Sequence, residues 1–283
     1  MRIKITKYAI RDLLVSLSSH TVLLAVSVTC VFPLLWMVSS SLKTQQTIFK
    51  NMNLWPGIFH WENYVIAWTR GGFGVYFLNS VFYTVAVVGG LIIIASLAAY
   101  AFSRLEFRGK RGLYGIFLAA MMIPIPGAFI ALYILLVKLN LVNTRLGYIL
   151  PQINIGLSLA IYILKTFFDE IPTEIEDSAM VDGCSPLGIW WHIALPLAKP
   201  AIAVIAIFNA LAVWNEYILA MIILQDKVKM PLQRGLMIFQ GAHFTEYPLL
   251  MAGITLTVIP IVVIYLFMQR YIIEGITAGA VKG

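Results

Sequence analysis

Carboxylate side chains are concentrated in one short stretch of this sequence. The chain has thirteen Asp and Glu residues among 283 positions. Six of them fall within fourteen residues: Asp169, Glu170, Glu174, Glu176, Asp177 and Asp182. Acidic side chains at this density can hold a basic surface of a partner by charge complementarity. The alternative is a solvated helix with no partner, and composition alone leaves both open.

Side chains that carry covalent or metal chemistry are dispersed instead. The four histidines are scattered along the chain: His20, His60, His192 and His243. None stands four residues from another, the spacing of paired zinc ligands on a helix, so no metal site is predicted. The sequence also has no nucleophile–base constellation. We therefore expect no catalytic residue and no cofactor in this chain, and a membrane-embedded enzyme is disfavoured.

The composition is that of an integral membrane protein. Charged residues make up 12% of the chain, against about 25% in a soluble domain. Hydrophobic residues make up 60%, and the mean hydropathy is +0.88. The net charge of +7 is attributed to basic cytoplasmic loops rather than to nucleic-acid binding. The basic N-terminus has no small-residue cleavage site, so the first apolar segment is expected to remain in the membrane.

An all-α architecture with six membrane spans is predicted. Each span needs about 20 apolar residues to cross the bilayer core. The six predicted spans are 20–42, 79–103, 112–137, 146–168, 200–224 and 249–272. Residues 4–18 are expected to form an amphipathic segment at the membrane interface, ahead of the first span.

The basic residues predict that both termini are cytoplasmic. With the N-terminus inside, twelve Lys and Arg residues fall on the inner side and eight on the outer side. The loop 104–112 holds four of them in nine residues, which favours this orientation. The acidic stretch then lies in the cytoplasm, between the fourth and fifth spans. The segments are an interfacial 1–19, a first span and external loop 20–74, a membrane core 75–270 and a cytoplasmic tail 271–283.

The acidic stretch is predicted to form a helix–turn–helix against the inner face of the membrane. Residues 174–181 are helix formers, and Asp182-Gly183 stops that helix because Gly adopts the left-handed conformation at little cost. Ser185-Pro186 then restarts a helix, with Ser as the N-cap and Pro in the first turn. Leu195-Pro196 and Pro200 are expected to break the chain again before the fifth span. Small residues of the first helix would permit close approach of a partner.

The spacing within this stretch carries a resemblance to a known family. Asp177-Ser178-Ala179, three residues, Gly183, nine residues and then Ile193-x-Leu195-Pro196 resemble the EAA–G–I-LP signature of membrane subunits of binding-protein-dependent ABC importers. The spacing matches throughout, but Asp177 stands where the signature has Glu and Ser178 where it has Ala. Asp is one methylene shorter, so either Asp177 or its neighbour Glu176 would pair with an Arg of an ATPase.

Other segments extend the resemblance over essentially the whole chain. FPLLWMVSSSLK, LAAYAFSRLEFRGK, WNEYILA and the ending GITAGAVKG are similar to the carbohydrate-uptake branch, in particular to the smaller membrane subunit of the maltose-type importers. The resemblance implies a type I ABC importer transmembrane domain of six helices with a cytoplasmic coupling helix at about 170–196, in a bacterial or archaeal plasma membrane. The ending TAGAVKG is Gly-rich and is expected to be flexible by composition, and the resemblance implies that it reaches toward the ATPase dimer.

The implied function is that of a permease subunit in an ATP-driven sugar or oligosaccharide importer, forming half of the translocation path. The implied partners are a second homologous permease, two ATPase subunits that bind ATP and Mg, and an extracytoplasmic sugar-binding protein. The residues predicted to couple the chain to the ATPase are Glu176, Asp177, Ser178, Ala179, Asp182, Gly183, Ile193, Leu195 and Pro196.

Two features inside the predicted spans indicate a translocation path or gate. The third span carries two prolines and a glycine near the membrane midplane, where broken backbone is tolerated only beside protein or a water-filled cavity. Glu216 is the sole carboxylate inside a predicted span, which marks a functional candidate. The alternatives are a structural kink and a hydrated or paired Glu. The path or gate residues are Pro124, Pro126, Gly127, Asn209, Asn215 and Glu216.

The outer loop 225–248 is a candidate contact for the binding protein, by position in the resemblance. Its candidate residues are Gln240, His243, Phe244, Glu246 and Tyr247. An ordinary solvated loop is the alternative. The rival function from another class is a secondary transporter driven by an ion gradient, which Glu216 and the broken third span would suit. The absence of other acids in the spans and the coupling-type segment count against it.

Overall fold

The computed structural model describes residues 7–50, 53–70, 72–123, 125–241 and 244–280. Within these ranges the chain is helical, and the single isolated β-bridge joins Gln240 and Thr245. The helices are α1 Lys7–Ser41, α2 Glu62–Arg70, α3 Phe73–Arg104, α4 Lys110–Ala120, α5 Ile125–Lys138, α6 Arg145–Asp169, α7 Thr173–Val181, α8 Pro186–Ile189, α9 Leu195–Leu197, α10 Lys199–Trp214, α11 Ile218–Ile223, α12 Leu232–Gly235 and α13 Tyr247–Ala280. A π-helix, Trp190–Ala194, lies between α8 and α9, and two 3₁₀ turns, Lys227–Lys229 and Leu236–Phe239, flank α12.

The chain divides into two compact units. The first comprises Met1–Gly71 and Ile238–Leu256. In it, the Asn63 amide of α2 donates to the Ser41 carbonyl at 2.8 Å and to the Lys43 carbonyl at 3.0 Å. These bonds satisfy carbonyls left free where α1 ends. Gln45 fixes the start of α13, because its amide donates to the Thr245 carbonyl at 2.8 Å and its oxygen accepts the Tyr247 N–H at 3.0 Å.

The second unit comprises Gly72–Met237 and Thr257–Gly283. Its core lies along α3 and α6, where small residues of α3 such as Ala95 and Ala99 are buried in one cluster with Ile161 and Leu164 of α6. Small side chains at such a seam allow two helix backbones to approach closely. Gly156 does the same between α6 and α10, since an added Cβ would stand 2.2 Å from the Asn209 Oδ1.

Among the described residues, four helices are long and apolar enough to cross a membrane, and a fifth candidate is bent. The four are Leu14–Ser41, Phe73–Arg104, Arg145–Asp169 and Tyr247–Leu266. The fifth consists of Pro186–Leu197 and Lys199–Trp214, which meet at an angle of 76°. The four correspond to the predicted first, second, fourth and sixth spans. The predicted third span is divided into α4, of 11 residues, and α5, of 14 residues, each short of the length that a bilayer needs.

Both chain ends are more regular than their composition predicted. The amphipathic segment 4–18 was expected to precede the first span at the interface; from Lys7, where the described residues begin, it is continuous with that span in α1, which runs to Ser41. The ending was expected to be flexible, yet α13 continues to Ala280. Each Gly in a helix costs only about 1 kcal/mol relative to Ala. Extending an existing helix avoids the nucleation cost, so a few glycines need not end it.

Candidate functional site

The acidic stretch folds into the predicted helix–turn–helix. Gly183 lies just beyond α7 with a φ of 86°, in the left-handed region. Its N–H donates to the Met180 carbonyl at 3.0 Å, and the Cys184 N–H donates to the Ala179 carbonyl at 2.9 Å. These two bonds form a Schellman motif, which ends the helix with its last carbonyls satisfied. Ser185 then caps α8, where its Oγ accepts the Gly188 N–H at 3.2 Å.

A buried ion pair joins the inner face of α7 to the last turn of α3. The Arg104 Nε donates to the Glu176 Oε1 at 2.7 Å, and the Tyr100 hydroxyl donates to the Glu176 Oε2 at 3.0 Å. The side chains of Arg104 and Glu176 are 13% and 6% exposed. Buried charges are tolerated when they are paired and hydrogen-bonded. Glu176 was predicted as a possible partner for an ATPase Arg, but here it is engaged within the chain.

Ala179 also faces inward. It is buried in the cluster that contains Phe168, Ile171, Ile189 and Trp190. Its small side chain was predicted to admit a partner, but it instead lets α7 lie close to the protein's own core. Large apolar neighbours fill that side because removing their surface from water stabilises the packing.

The outer face of the helix–turn–helix combines carboxylates with apolar side chains. Asp177 and Asp182 are exposed. Val181 is 87% exposed, and Leu187, just past the turn, is 68% exposed. We refer to Asp177, Val181, Asp182 and Leu187 as the turn surface. Exposed apolar side chains rimmed by charge are typical of a protein–protein contact.

The predicted break before the fifth span is confirmed, since the chain bends by 76° at Ala198, between Leu195-Pro196 and Pro200. Ile193 and Leu195 are half-buried, and Pro196 is exposed. Pro196 itself lies within the helical run, because it follows the π-helix Trp190–Ala194, in which the Leu195 N–H donates to the Trp190 carbonyl, five residues back. This wider turn accommodates a proline, whose ring and missing N–H would otherwise disrupt an α-helical turn.

Glu216 sits where the predicted fifth span is interrupted. Its Oε1 accepts the Leu219 N–H at 2.5 Å, and its Oε2 accepts the Ala220 N–H and the Tyr148 hydroxyl, both at 3.1 Å. The carboxylate therefore caps the first turn of α11 and ties it to α6. Asn209 was predicted to share a helix face with Glu216, but α10 ends at Trp214, so the two lie on different elements.

We expect this cap to be needed for stability. Glu216→Ala would leave the two backbone donors and the Tyr148 hydroxyl unpaired, at a cost of about 1–3 kcal/mol for each buried group. Tyr148→Phe removes a single donor and is expected to cost about 1 kcal/mol. The unfolding temperature of the purified chain in detergent should therefore fall more for Glu216→Ala than for Tyr148→Phe. An unchanged unfolding temperature for Glu216→Ala would contradict the capping role.

A cavity of about 740 Å³ lies between α4, α5 and α6. Its walls are mostly apolar side chains of these helices, and Asn154 and Ser158 of α6 are among its polar residues. The predicted break in the third span is confirmed, since α4 ends at Ala120 and α5 begins at Ile125. Pro126 and Gly127 lie in the first turn of α5, whereas Pro124 lies outside the described residues.

Comparison with known proteins identifies the family. The model of the family described as binding-protein-dependent transport system inner membrane component matches residues 91–277, most of the chain. The chain belongs to this family. It is a family of transport components rather than of enzymes, and the helical spans agree with a membrane location.

Individual relatives cover nearly the full length of the permease. It is 35% identical to the trehalose transport system permease protein SugB of Mycobacterium tuberculosis (strain CDC 1551 / Oshkosh), over 89% of this chain and 92% of that one. It is 32% identical to the diacetylchitobiose uptake system permease protein NgcG of Streptomyces coelicolor, over 93% of this chain and 88% of that one. A crystal structure of a bacterial ABC transporter involved in the import of the acidic polysaccharide alginate matches with a TM-score of 0.81 and 25% identity, covering 92% of this chain and 97% of that chain.

The predicted binding-protein contacts of the permease lie on the first unit. Glu246 pairs with Arg70 at 3.0 Å, and Tyr247 packs edge-on against Phe49 with ring centroids 4.8 Å apart. Gln240 and Phe244 are exposed, while His243 lies outside the described residues. A cavity of about 470 Å³ is lined by Phe244, Glu246 and polar residues of α2 and of the loop before it: Lys43, Thr44, Gln45, His60, Glu62, Asn63 and Arg70.

No sequence pattern identified the residues that hold Glu176 and Glu216. Arg104 and Tyr100 lie in segments that served only for membrane orientation and family resemblance, and no pattern marks Tyr148. Their partners lie 72, 76 and 68 residues away, so no local spacing predicts these contacts. Among the described residues, no group of three or more His, Cys, Asp or Glu is placed to hold a metal ion.

Proposed function

We propose that this chain is the permease subunit of an ATP-driven importer for sugars or oligosaccharides. The observation that carries the proposal is the turn surface, an acidic and apolar projection in a member of a binding-protein-dependent transport family. Relatives named for transport of trehalose and diacetylchitobiose support a carbohydrate substrate. So does the likeness to an alginate importer.

In this proposal the membrane is crossed six times and both termini are cytoplasmic. The third span consists of α4 and α5, and the fifth consists of α10 followed by α11. The acidic stretch is the coupling helix, and the cavity beside α4, α5 and α6 is part of this subunit's half of the path. A second, homologous permease supplies the other half.

The proposed mechanism is a switch between two arrangements of the permease pair. A sugar-loaded binding protein docks on the outside, and two ATPase subunits bind ATP and Mg on the inside. Closure of the ATPases is passed to the permeases through the turn surface, which moves them from inward-facing to outward-facing. This chain contributes path and coupling, with no covalent step of its own.

No described feature favours an ion-gradient mechanism. The rival function relied on Glu216 as an ion-binding carboxylate, but its two oxygens accept three hydrogen bonds from the chain itself. Its role is explained by the cap on α11. The broken third span is equally expected in an importer path.

The test is purification of the tagged chain from its native membrane in a gentle detergent. We expect an ATPase and a second permease to be recovered with it, and ATP hydrolysis to rise when a sugar-loaded binding protein is added. Recovery of the chain alone, with transport after reconstitution driven by an ion gradient, would overturn the proposal.

A further inference from the structure

The last turn of α3 is fastened to the acidic helix at two points. The Arg104 guanidinium donates through Nε to the Glu176 carboxylate at 2.7 Å and through Nη2 to the Ile171 carbonyl at 2.6 Å. Tyr100, one helical turn earlier, holds the second oxygen of Glu176 at 3.0 Å. The planar guanidinium presents donors in a fixed fork, so it sets direction as well as distance. Ile171 lies just before α7 and Glu176 lies within it. The two contacts therefore fix the position of α7 relative to α3, both just before α7 begins and near its middle.

The contact between Arg104 and Glu176 can transmit movement of α7 to a helix that is not connected to α7 by the adjoining segments of the chain. Along the chain, α7 is joined to α6 before it and, through α8 and α9, to α10 after it. The Arg104–Glu176 pair instead joins α7 directly to α3, across 72 residues of sequence. A displacement of α7 would therefore act on the second span without passing through the turn at Gly183.

A neighbouring contact shows what the Arg104–Glu176 pair adds. The Ser103 hydroxyl donates to the Asp169 Oδ1 at 2.7 Å, and the Lys165 Nζ donates to the Asp169 Oδ2 at 2.6 Å. The first bond joins α3 to the end of α6, the second lies within α6, and Asp169 is exposed. The first bond holds the two spans together, and neither bond touches α7. Exposed ion pairs of this kind contribute little, whereas a buried pair is sensitive to loss of one partner.

We propose that Arg104 and Tyr100 are positioning residues through which displacement of the acidic helix is passed to the second membrane span. The inference rests on the proposed function, because the acidic helix must receive a movement for the contact to transmit it. Buried ion pairs are weak contributors to stability but can fix one geometry among several. Through this contact the coupling helix would move α3 in addition to α10, to which it is connected along the chain.

The test uses the full transporter in lipid vesicles and measures sugar imported per ATP hydrolysed. Arg104→Gln and Glu176→Gln are each expected to lower this ratio about fivefold or more, with the ATPase still bound in normal amount. Tyr100→Phe keeps the ion pair and should lower the ratio less. The double variant Arg104→Gln with Glu176→Gln has no unpaired charge, so it should recover part of the ratio lost in either single variant.

Two matched controls separate positioning from general damage. Arg108→Gln makes the same change at an exposed Arg four residues away, and Ser103→Ala removes the neighbouring bond to Asp169. Both variants should import as much sugar per ATP hydrolysed as the unaltered transporter does. The inference would be overturned if Arg104→Gln imported as much sugar per ATP hydrolysed as the unaltered transporter. It would also be overturned if the ratio fell only in proportion to the amount of bound ATPase or of permease, and the double variant showed no recovery. If the unaltered chain binds no ATPase at all, it is the proposed function that fails.

Discussion

Replacing Gly183 with Val is expected to lower sugar uptake about five- to thirtyfold. The φ of Gly183 is 86°, and a residue with a Cβ pays about 1–2 kcal/mol to adopt the left-handed conformation. A β-branched side chain is a poor choice for this region. An added Cβ would meet no described atom within 4 Å, so the effect arises from the backbone and not from a clash. The turn surface would lose its shape while α7 and the spans remain folded.

Gly57→Val is the matched control for this experiment. Gly57 has a φ of 78° and likewise has open space around its Cβ position, as far as the described residues show. It lies in the predicted external loop, so the same backbone strain should leave ATP-driven coupling intact. Asn tolerates the left-handed region better than Val, and Gly183→Asn should retain more uptake than Gly183→Val. If Gly183→Val and the unaltered chain were present in the membrane in equal amounts and took up sugar equally, the turn would have no role in the mechanism.

Replacing Val181 with Asp is expected to release the ATPase from the purified transporter. Val181 is 87% exposed, so the change should alter the free energy of unfolding by less than about 0.5 kcal/mol. In a partner's pocket the new carboxylate would be buried without a counter-charge. Changes at the centre of an interface commonly cost 2 kcal/mol or more, a loss of affinity of about thirtyfold. Leu187→Asp should act in the same direction.

The control places the same change on the other predicted side of the membrane. Val65 of α2 is 63% exposed, and Val65→Asp should leave ATPase retention unchanged. Retention is measured as the amount of ATPase recovered with the tagged permease. Full retention in Val181→Asp would mean that the turn surface is not the docking site.

The local features of the acidic stretch were predictable because short-range rules determine them. Asp182-Gly183 gives a helix stop and Ser185-Pro186 a helix start, and both signals depend on neighbouring residues alone. The four long spans also followed from apolar length, and the break in the third followed from its prolines and glycine. The same rules failed for the fifth predicted span, because apolar composition continues through Asn215 and Glu216 while the helix does not.

The direction in which side chains face could not be predicted in the same way. Glu176 is one of the six acids in the acidic stretch, and acids are usually exposed. Its burial depends on Arg104, 72 residues earlier, which no local pattern links to it. Glu216 similarly depends on Tyr148 of α6. Contacts between distant segments decide these positions, so the sequence identified the acidic stretch but not its inner and outer faces.

The central claim is that the turn surface touches the ATPase, and cysteine cross-linking tests it most directly. Val181→Cys would be introduced after both native cysteines, Cys30 and Cys184, are replaced by Ser. A short bifunctional reagent would then be applied to native membranes, and Trp55→Cys in the predicted external loop would serve as the control. We expect one cross-linked product that contains the ATPase, formed from position 181 and not from position 55, with a yield that changes when ATP is added. A product without the ATPase, or the same product from both positions, would contradict it.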